Sequence, residues 1–462
     1  MAIRIIELSK LNSETRNPEL ETKNGLESGV RGLETQNSEL KTLMLRAGKD
    51  ISDVSETSKQ IIDDVKARGD EALFDYEKRF TAVELSAETI RVTKEEIAEA
   101  YSKINKRLLK AIKHAAKNIE KFHRKCLPGE FEMKIEKGVK AGRLIRPVGR
   151  AGLYIPGGKA VYPSVMLMLS IPAKVAGVNE IVACTPLQKG ANSLDVATLV
   201  AADIGGVSEI YKVGGAQAIA ALAYGTKTIK RTDVIAGPGN PYVSAAQKLV
   251  RNDVRIDFIP GPSEGMVLAD ESANPMFVTL DLLSEAEHGP DSAGIVVTPS
   301  LELAQKTREI AEQLIDALPE PGKGYVRANM AAYSAIIVAS SMDEAINFVN
   351  EYATEHLVLN VREPKEVLAK IKNAGTICLG EWTPITAGNF IVGPNAVLPT
   401  NSLAKYYSGV NVDTFLRKPT YEWCDEDGLK RLSRDIGRLA DFEGFPMHTK
   451  SVKSRFATDA TS

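Results

Sequence analysis

The sequence predicts an α/β fold, and three observations carry that expectation. From residue 148 to about 262, short β-rich runs alternate with helical windows. A second alternating set runs from Gly265 to Leu379. From 401 to 462 the spacing is mostly helical, with no further sheet pattern. Parallel strands need long crossovers, normally helices, so this alternation argues parallel sheets wrapped by helices and followed by a helical C-terminal arm.

In chain order, Ile3 to Leu8 reads as a short strand. Residues 10–42 are rich in Asn, Ser, Thr and Glu and short of aromatics, and Leu20-Glu21-Thr22-Lys23-Asn24 recurs as Leu33-Glu34-Thr35-Gln36-Asn37. Such a segment buries too little apolar surface to hold one conformation, so a mobile insertion is expected. Ile61, Ile62, Val65 and Leu73 space an apolar face through 55–80. Residues 103–125 form a basic amphipathic helix, with Ile104, Leu108, Ile112, Ala116, Ile119 and Phe122 on one side and lysines on the other. Its lysines could meet a membrane or nucleic acid, but a solvated outer face is the expectation. His114 and His123, on this helix, are expected to face solvent. The first α/β set has strands at Ala151–Ile155, Glu180–Ala183, Glu209–Tyr211, Asp233–Ala236 and Arg255–Ile259, with helices around 164–176, 193–204, 215–224 and 241–251. The second has strands at Gly265–Ala269, Ala293–Thr298, Ala335–Val338, Leu357–Leu359 and Thr376–Leu379, with helices at 274–287, 301–317 and 342–354.

A chain of 462 residues can hold two to four domains and bury a core without disulfides. Its 44% hydrophobic and 26% charged content is that of a soluble globular protein. A net charge of −2 and a pI near 6.3 give no electrostatic footprint for nucleic acid. Cys126, Cys184, Cys378 and Cys424 form no CxxC pair and read as reduced thiols of a cytoplasmic protein. No signal-peptide pattern opens the chain and no apolar run reaches membrane-spanning length.

The chemistry concentrates around histidine. The chain has five, and two follow a glutamate directly, Glu287-His288 and Glu355-His356. Histidine titrates near neutrality and ligates metals, and a carboxylate orients it or balances its charge. In Leu282-Leu283-Ser284-Glu285-Ala286-Glu287-His288-Gly289-Pro290, Glu285 and His288 lie three apart on one helix face and can converge on one ion. The plainer reading is a helix-end histidine bonded to a neighbour. Glu355-His356 stands where a helix hands over to a strand, and a base beside a water-activating carboxylate suits a reaction that moves protons twice. A surface Glu-His pair is the alternative. Two glycine-rich turns, Gly152 to Gly158 and Gly237-Pro238-Gly239-Asn240-Pro241, end probable strands, where backbone amides can approach phosphate. Neither matches GxGxxG, and ligand-free βα turns remain open. Gly261-Pro262-Ser263-Glu264 is a third turn of this kind.

Taken in order, GLYIPGG (152–158), VGGAQAIAALAYGT (213–226), GPGNPYV (237–243), GPSE (261–264), DLLSEAEHGPDS (281–292), NEYATEHL (350–357), GPNAVLPT (393–400) and FEGFPMH (442–448) resemble the histidinol dehydrogenase family, from about residue 45 to 455. The resemblance implies a cytoplasmic, zinc-dependent homodimer that uses two NAD to oxidise an alcohol through an aldehyde to a carboxylate. It implies Glu355 as the water-activating carboxylate and His356 as the base in both oxidations. Tyr154, Gln217 and Asn240 would contact NAD. Ser263 and Glu443 would contact substrate together with His356 and the zinc ligands, and zinc would be held by Glu285, His288, Asn389 and His448. The glutamate and histidine near the C-terminus would come from the partner subunit, so each active site would be shared.

Three positions depart from the family motif. Glu285 replaces a glutamine, Asn389 an aspartate, and Ala396 a histidine expected at the substrate. The first two exchanges leave the ligand set with the same formal charge. Carboxylate and imidazole are ordinary zinc ligands and an amide is a weak one, so Glu285 is expected to be the anionic ligand. Ala396 removes a hydrogen-bonding group beside the substrate, so reaction type is better specified than substrate. The leading expectation is oxidation of L-histidinol to L-histidine. A paralogue acting on another small polar alcohol, such as a sulfonated propanediol, and a non-catalytic metal- or nucleotide-binding relative are the alternatives. The resulting architecture is two incomplete Rossmann-like domains, 45–149 with 263–400 and 150–262, preceded by strand and insertion 1–44 and followed by the arm 401–462.

Overall fold

The computed structural model describes residues 3–8, 40, 43, 44, 46, 52–157 and 160–456. The expected insertion at 10–42 lies outside them except for Leu40, which is buried, and so does Gly158 of the first glycine-rich turn. The chain forms two compact units, residues 1–126 with 149–415 and residues 127–148 with 416–462.

In the first unit, β1 (Ile5–Glu7) precedes four helices, α1 (Ser52–Arg68), α2 (Asp70–Thr81), α3 (Lys94–Lys103) and α4 (Lys106–Lys125). The apolar face expected through 55–80 is carried by two helices, because Gly69 between them takes φ 59°, a left-handed turn that suits glycine. The helix expected from 103 begins at Lys106, where the Asn105 side chain accepts from the amides of Arg107 and Leu108. His123 is fully buried rather than solvent-facing, with Nδ1 donating to the Ile119 carbonyl at 2.9 Å. Leu108 and Phe122, expected on the apolar side, are exposed.

The second unit supplies the next strands, β2 (Phe131–Glu136), β3 (Val139–Arg143) and β4 (Arg146–Pro147). The first unit resumes with β5 (Arg150–Tyr154), α5 (Pro163–Ala176), β6 (Glu180–Cys184), α6 (Val196–Gly205), β7 (Glu209–Tyr211), α7 (Gly215–Tyr224), β8 (Val234–Ala236) and α8 (Pro241–Val250). Strands β7-β6-β5-β8 make a four-stranded parallel sheet. The strand expected at Arg255–Ile259 shrinks to one bridge, Val234 with Arg255. Ile61, Ile62 and Val65 of α1, Leu73 of α2, and the alanine-rich α7 pack on Val182, Tyr211 and Ile235 as one core.

Then come β9 (Glu264–Ala269), α9 (Pro275–Ala286), β10 (Ala293–Thr298), α10 (Leu301–Ala317), α11 (Gly322–Ala332), β11 (Ala335–Val338), α12 (Met342–Tyr352), β12 (His356–Asn360), α13 (Pro364–Leu368) and β13 (Thr376–Leu379). After α14 (Ile385–Ala387) the chain makes a π-helical turn, Gly388–Val392. The six strands β1-β11-β10-β9-β12-β13 form one wholly parallel sheet. Its strands β9 to β12 are buried at every position, as helices on both faces of a parallel sheet require. Side chains alternate between two cores. Val267, Val296 and Ile336 face α9 and α10, while Met266, Ile295, Ile337 and Leu357 face Ile346 and Val349 of α12.

In the second unit, β14 (Leu416–Arg417) pairs with β4, and β15 (Thr420–Cys424) joins β3 and β2 in an antiparallel sheet. The arm expected to be helical from 401 therefore also carries sheet, followed by the packed helices α15 (Glu426–Phe442) and α16 (Pro446–Lys453). Among the described residues no helix is long and apolar enough to cross a membrane.

Candidate active site

Two buried ionisable side chains stand at the amino edge of the six-stranded sheet. Glu264 opens β9 and His356 opens β12, with His356 in register with Gly265. Ala353 ends α12 in a left-handed conformation (φ 53°), its amide bonded to the Val349 carbonyl. That turn sends Thr354 and Glu355 straight into the strand. Glu355 and His356 are 6% and 4% exposed, which excludes the surface-pair reading. Glu355 Oε2 accepts from the Glu264 amide at 2.9 Å and stands 3.6 Å from His356 Nδ1. Among the described residues neither ring nitrogen of His356 has a hydrogen-bond partner.

Burial pushes the Glu355 carboxyl up, against the opposing pull of His356. For His356 burial alone would lower the pKa, but the negative charges of Glu355 and Glu285 outweigh it and lift the imidazole to about 9.

Glu285 lies in the last turn of α9 and is 1% exposed. Its carboxylate is admitted by Gly265: a Cβ there would stand 2.8 Å from Glu285 Cγ. Glycine at the second residue of β9 thus lets Glu285 lie over the sheet next to the His356 register. Glu285 Oε1 accepts from Asn389 Nδ2 at 2.9 Å, and His288 Nε2 stands 3.7 Å from Glu285 Oε2. Asn389 sits on the π-helical turn, and its buried Oδ1 has no partner among the described residues. His288 follows the end of α9 in a turn tied down by Asn329 Nδ2, which donates to the carbonyls of Ala286 and Gly289. Ser263 is half-buried just before Glu264, its carbonyl bonded to the Ala293 amide. Ala396 is half-buried next to Asn395, whose side chain bonds the Met168 carbonyl.

These donors suit a divalent cation. Two ligands on a tetrahedral zinc with bonds of about 2.0–2.2 Å stand roughly 3.3–3.6 Å apart. The 3.7 Å between Glu285 and His288 falls close to that. The partnerless Asn389 oxygen adds a third donor. The amino edge also buries three carboxylates, Glu264, Glu285 and Glu355, against the cations Arg46 and His356, leaving negative charge to be balanced. Among the described residues no three His, Cys, Asp or Glu side chains cluster as a metal site, because the third donor here is an amide. Glu443 caps the C-terminus of α15 and His448 lies in α16 with its ring 5.3 Å from that of Phe445; both are exposed residues of the second unit.

The residues expected at NAD collect at the carboxyl edge of the four-stranded sheet. Tyr154 ends β5, and its hydroxyl accepts from the Gly215 amide at 3.1 Å. Gln217, in the first turn of α7, is 1% exposed and donates to Glu77 Oε1 at 2.9 Å. Asn240 caps α8, accepting from the Val243 amide at 3.1 Å. Gly237 takes φ 133°, and a Cβ there would be 2.0 Å from the Tyr154 carbonyl oxygen, so only glycine fits this turn. A cavity of about 260 Å³ opens at the same edge, lined by Pro156, Gly157, Tyr162, Thr185, Asp195 and Thr198.

Three charged residues escaped the sequence reading. Glu77 of α2 also accepts from the Gly214 amide, and burial pushes its carboxyl up to about 7. Arg46 and Glu264 form a buried pair at 2.7 Å. The GPSE motif was a signal for Glu264. Nothing local marks Arg46 or Glu77, whose partners lie more than a hundred residues away.

A family model described as Histidinol dehydrogenase matches residues 44–456. The histidinol dehydrogenase of Methanothermobacter thermautotrophicus is 44% identical over 413 residues, which cover 89% of this chain and 96% of that protein. That of Methanocaldococcus jannaschii is 42% identical over 423 residues, 91% and 97% of the two chains. The solved structure of histidinol dehydrogenase from Elizabethkingia anophelis is similar with a TM-score of 0.86 and 38% identity, covering 90% of this chain and 95% of that one.

Proposed function

The chain belongs to the histidinol dehydrogenase family of NAD-dependent oxidoreductases, and from that premise we propose that it oxidises L-histidinol to L-histidine in two NAD-dependent steps. One observation carries the reading: Glu355 and His356 are buried side by side, with the His356 nitrogens unpartnered and Glu285 alongside. Negative neighbours keep that imidazole basic, and once its proton is shed both nitrogens are open to a substrate hydroxyl.

In the first oxidation His356 removes the hydroxyl proton as the carbinol carbon gives hydride to NAD, yielding aldehyde and NADH. Glu355 then takes a proton from the water that adds to the aldehyde, while His356 returns the proton it gained to the aldehyde oxygen, which gives the neutral hydrate and restores His356 as a base. His356 takes the proton of the resulting hydrate while a second hydride leaves to a second NAD, yielding the carboxylic acid. The Glu264 amide holds the Glu355 carboxylate in place for the hydration step. Glu285, His288 and Asn389 would hold zinc with His448, and the ion would supply Lewis-acid stabilisation of the substrate oxygen and fix its nitrogens. Glu285 is the anionic ligand of that set and Asn389 the weak one. Ser263 and Glu443 would bind substrate, and Tyr154, Gln217 and Asn240 would bind NAD.

The reading puts the chemistry on 45–149 with 263–400, the cofactor on 150–262 and the closing residues on the arm 401–462. The active site would be shared across a homodimer, with Glu443 and His448 given by the partner. Exposed apolar side chains on the arm, Phe442 at 91%, Met447 at 69% and Leu439 at 65%, support a buried role in an assembly. Four free cysteines support a reducing, cytoplasmic setting.

Ala396 favours a second reading, in which another small polar alcohol, such as a sulfonated propanediol, is the substrate. A non-catalytic relative would not need a buried, unpartnered imidazole beside a carboxylate. NADH formation decides among them: turnover of L-histidinol supports the first reading and turnover of other alcohols alone the second. No turnover on any, with zinc bound, leaves the non-catalytic reading. Chelator should abolish turnover and added zinc restore it.

A further inference from the structure

We propose that the buried Arg46–Glu264 pair is a positioning device for Glu355, tying the end of α12 to the start of β9 so that the Glu264 amide meets the reacting carboxylate. The inference rests on the reading of Glu355 as the water-activating group.

Arg46 Nη1 donates to both oxygens of Glu264, at 2.7 and 2.8 Å. Its other terminal nitrogen donates to the Tyr352 carbonyl, and the guanidinium lies 3.6 Å over the Tyr352 ring. One side chain therefore grips the last residue of α12 and the first of β9. Those are the two places from which Glu355 is held: by the chain that follows Tyr352, and by the Glu264 amide. Asn401 adds its backbone amide to Glu264 Oε1 at 2.7 Å, and the Ser402 hydroxyl donates to the Tyr352 carbonyl.

The backbone around this pair is strained. Among the described residues five non-glycines have positive φ, and four converge here: Arg46 (56°), Ala353 (53°), Asn401 (55°) and Ser402 (60°). Such conformations persist only where surrounding structure over-determines them, and they cluster at functional sites. A buried ion pair is also a poor device for stability, since well-packed apolar residues often do as well. Strain and a buried charge pair at one point, one hydrogen bond from Glu355, argue for geometry rather than stability as their use.

The test compares the zinc-loaded full-length wild type with Arg46→Lys, whose ammonium cannot span two carboxylate oxygens and a carbonyl. The double variant Arg46→Met/Glu264→Gln leaves no buried charge unpaired and decides if the single variant does not fold. Hydrogen exchange of the Glu264 amide, melting, zinc content and steady-state kinetics on the alcohol and the corresponding aldehyde are measured. In a folded variant with unchanged zinc, the Glu264 amide should exchange at least about tenfold faster while the amides of Met266 to Ala269 keep their protection. Turnover of the aldehyde should fall about tenfold or more, with KM within about twofold. A folded variant that keeps either amide protection or aldehyde turnover within about twofold of wild type overturns the proposal. If wild type turns over no histidinol, the functional reading fails, and the exchange measurement, which needs no substrate, still decides whether Arg46 holds the Glu264–Glu355 contact.

Discussion

Glu285 lies over Gly265, and His356 is that glycine's partner on the neighbouring strand. His356→Asn removes the imidazole 3.6 Å from Glu355 and should lower turnover by roughly 10²–10⁴-fold, with the circular dichroism spectrum and melting temperature unchanged. Unchanged activity removes His356 from the mechanism. Gly265→Ala should spare the fold yet displace Glu285, whose Cγ would be 2.8 Å from the new methyl. Zinc affinity should then fall roughly 10–100-fold in a chelator competition. The imidazole of His356, held near 9 by negative neighbours, is protonated at neutral pH in the metal-free protein. Glu355→Gln takes away the nearest negative charge, so the His356 midpoint followed by NMR should move down; a midpoint that stays put refutes the coupling. At this scale the closeness of Glu355 to His356 and of Glu285 to His288 could be read from local spacing, and that of Asn389 to Glu285 only from the family resemblance. Arg46 with Glu264, Glu77 with Gln217, and the burial of His123 could not, because each depends on a partner brought by the tertiary fold.

Between elements, Glu77 links α2 to the start of α7. Its folded pKa is raised from 4.5 to about 7, so the folded state holds a proton that the unfolded chain has released. The stability this contributes is present below pH 4.5 and is lost as pH rises toward 7. Glu77→Gln does not titrate and should gain on wild type across that interval by on the order of 3 kcal/mol, read as a melting-temperature difference that widens with pH. A difference independent of pH disproves the assignment. Helix α2 ends on Ala82 at φ 61°, an exposed left-handed cap. Ala82→Gly should stabilise by about 1 kcal/mol in denaturant titration. Most elements were legible where apolar periodicity was unbroken: α7, β10, α10, β11 and β13 have the expected bounds. The hairpin β2–β3 was missed although Phe131, Met133 and Ile135 alternate with charged residues, because every residue of β2 is exposed and no core flanks it. Helix α11 was missed because two glycines and a polar run hide its apolar positions, Val326 and Met330.

For the molecule as a whole, the alternation of elements announced parallel sheets, but not which edge of each carries the chemistry. In open α/β sheets ligands usually sit beyond the carboxyl ends of the strands. The NAD candidates obey this on the four-stranded sheet, whereas Glu355, His356 and Glu285 lie at the opposite, amino edge of the six-stranded one. Sharing of the site between subunits is tested by mixing inactive His356→Asn and Glu443→Ala proteins. Random reassortment should recover about a quarter of wild-type activity, whereas sites confined to one chain recover none.

The contrast between the two edges has an electrical side. Helices that return to an amino edge arrive carbonyl end first, and those that leave a carboxyl edge start with free amides, so the two edges carry partial charge of opposite sign. α9 and α12 finish beside Glu285 and Glu355, while α7 and α8 begin beside Tyr154 and Asn240. Peptide dipoles alone thus favour a cation at one sheet and an anion at the other, each by about 0.3–1 kcal/mol. Inorganic pyrophosphate, kept too dilute to chelate, should therefore compete with NAD while leaving the bound metal where it is.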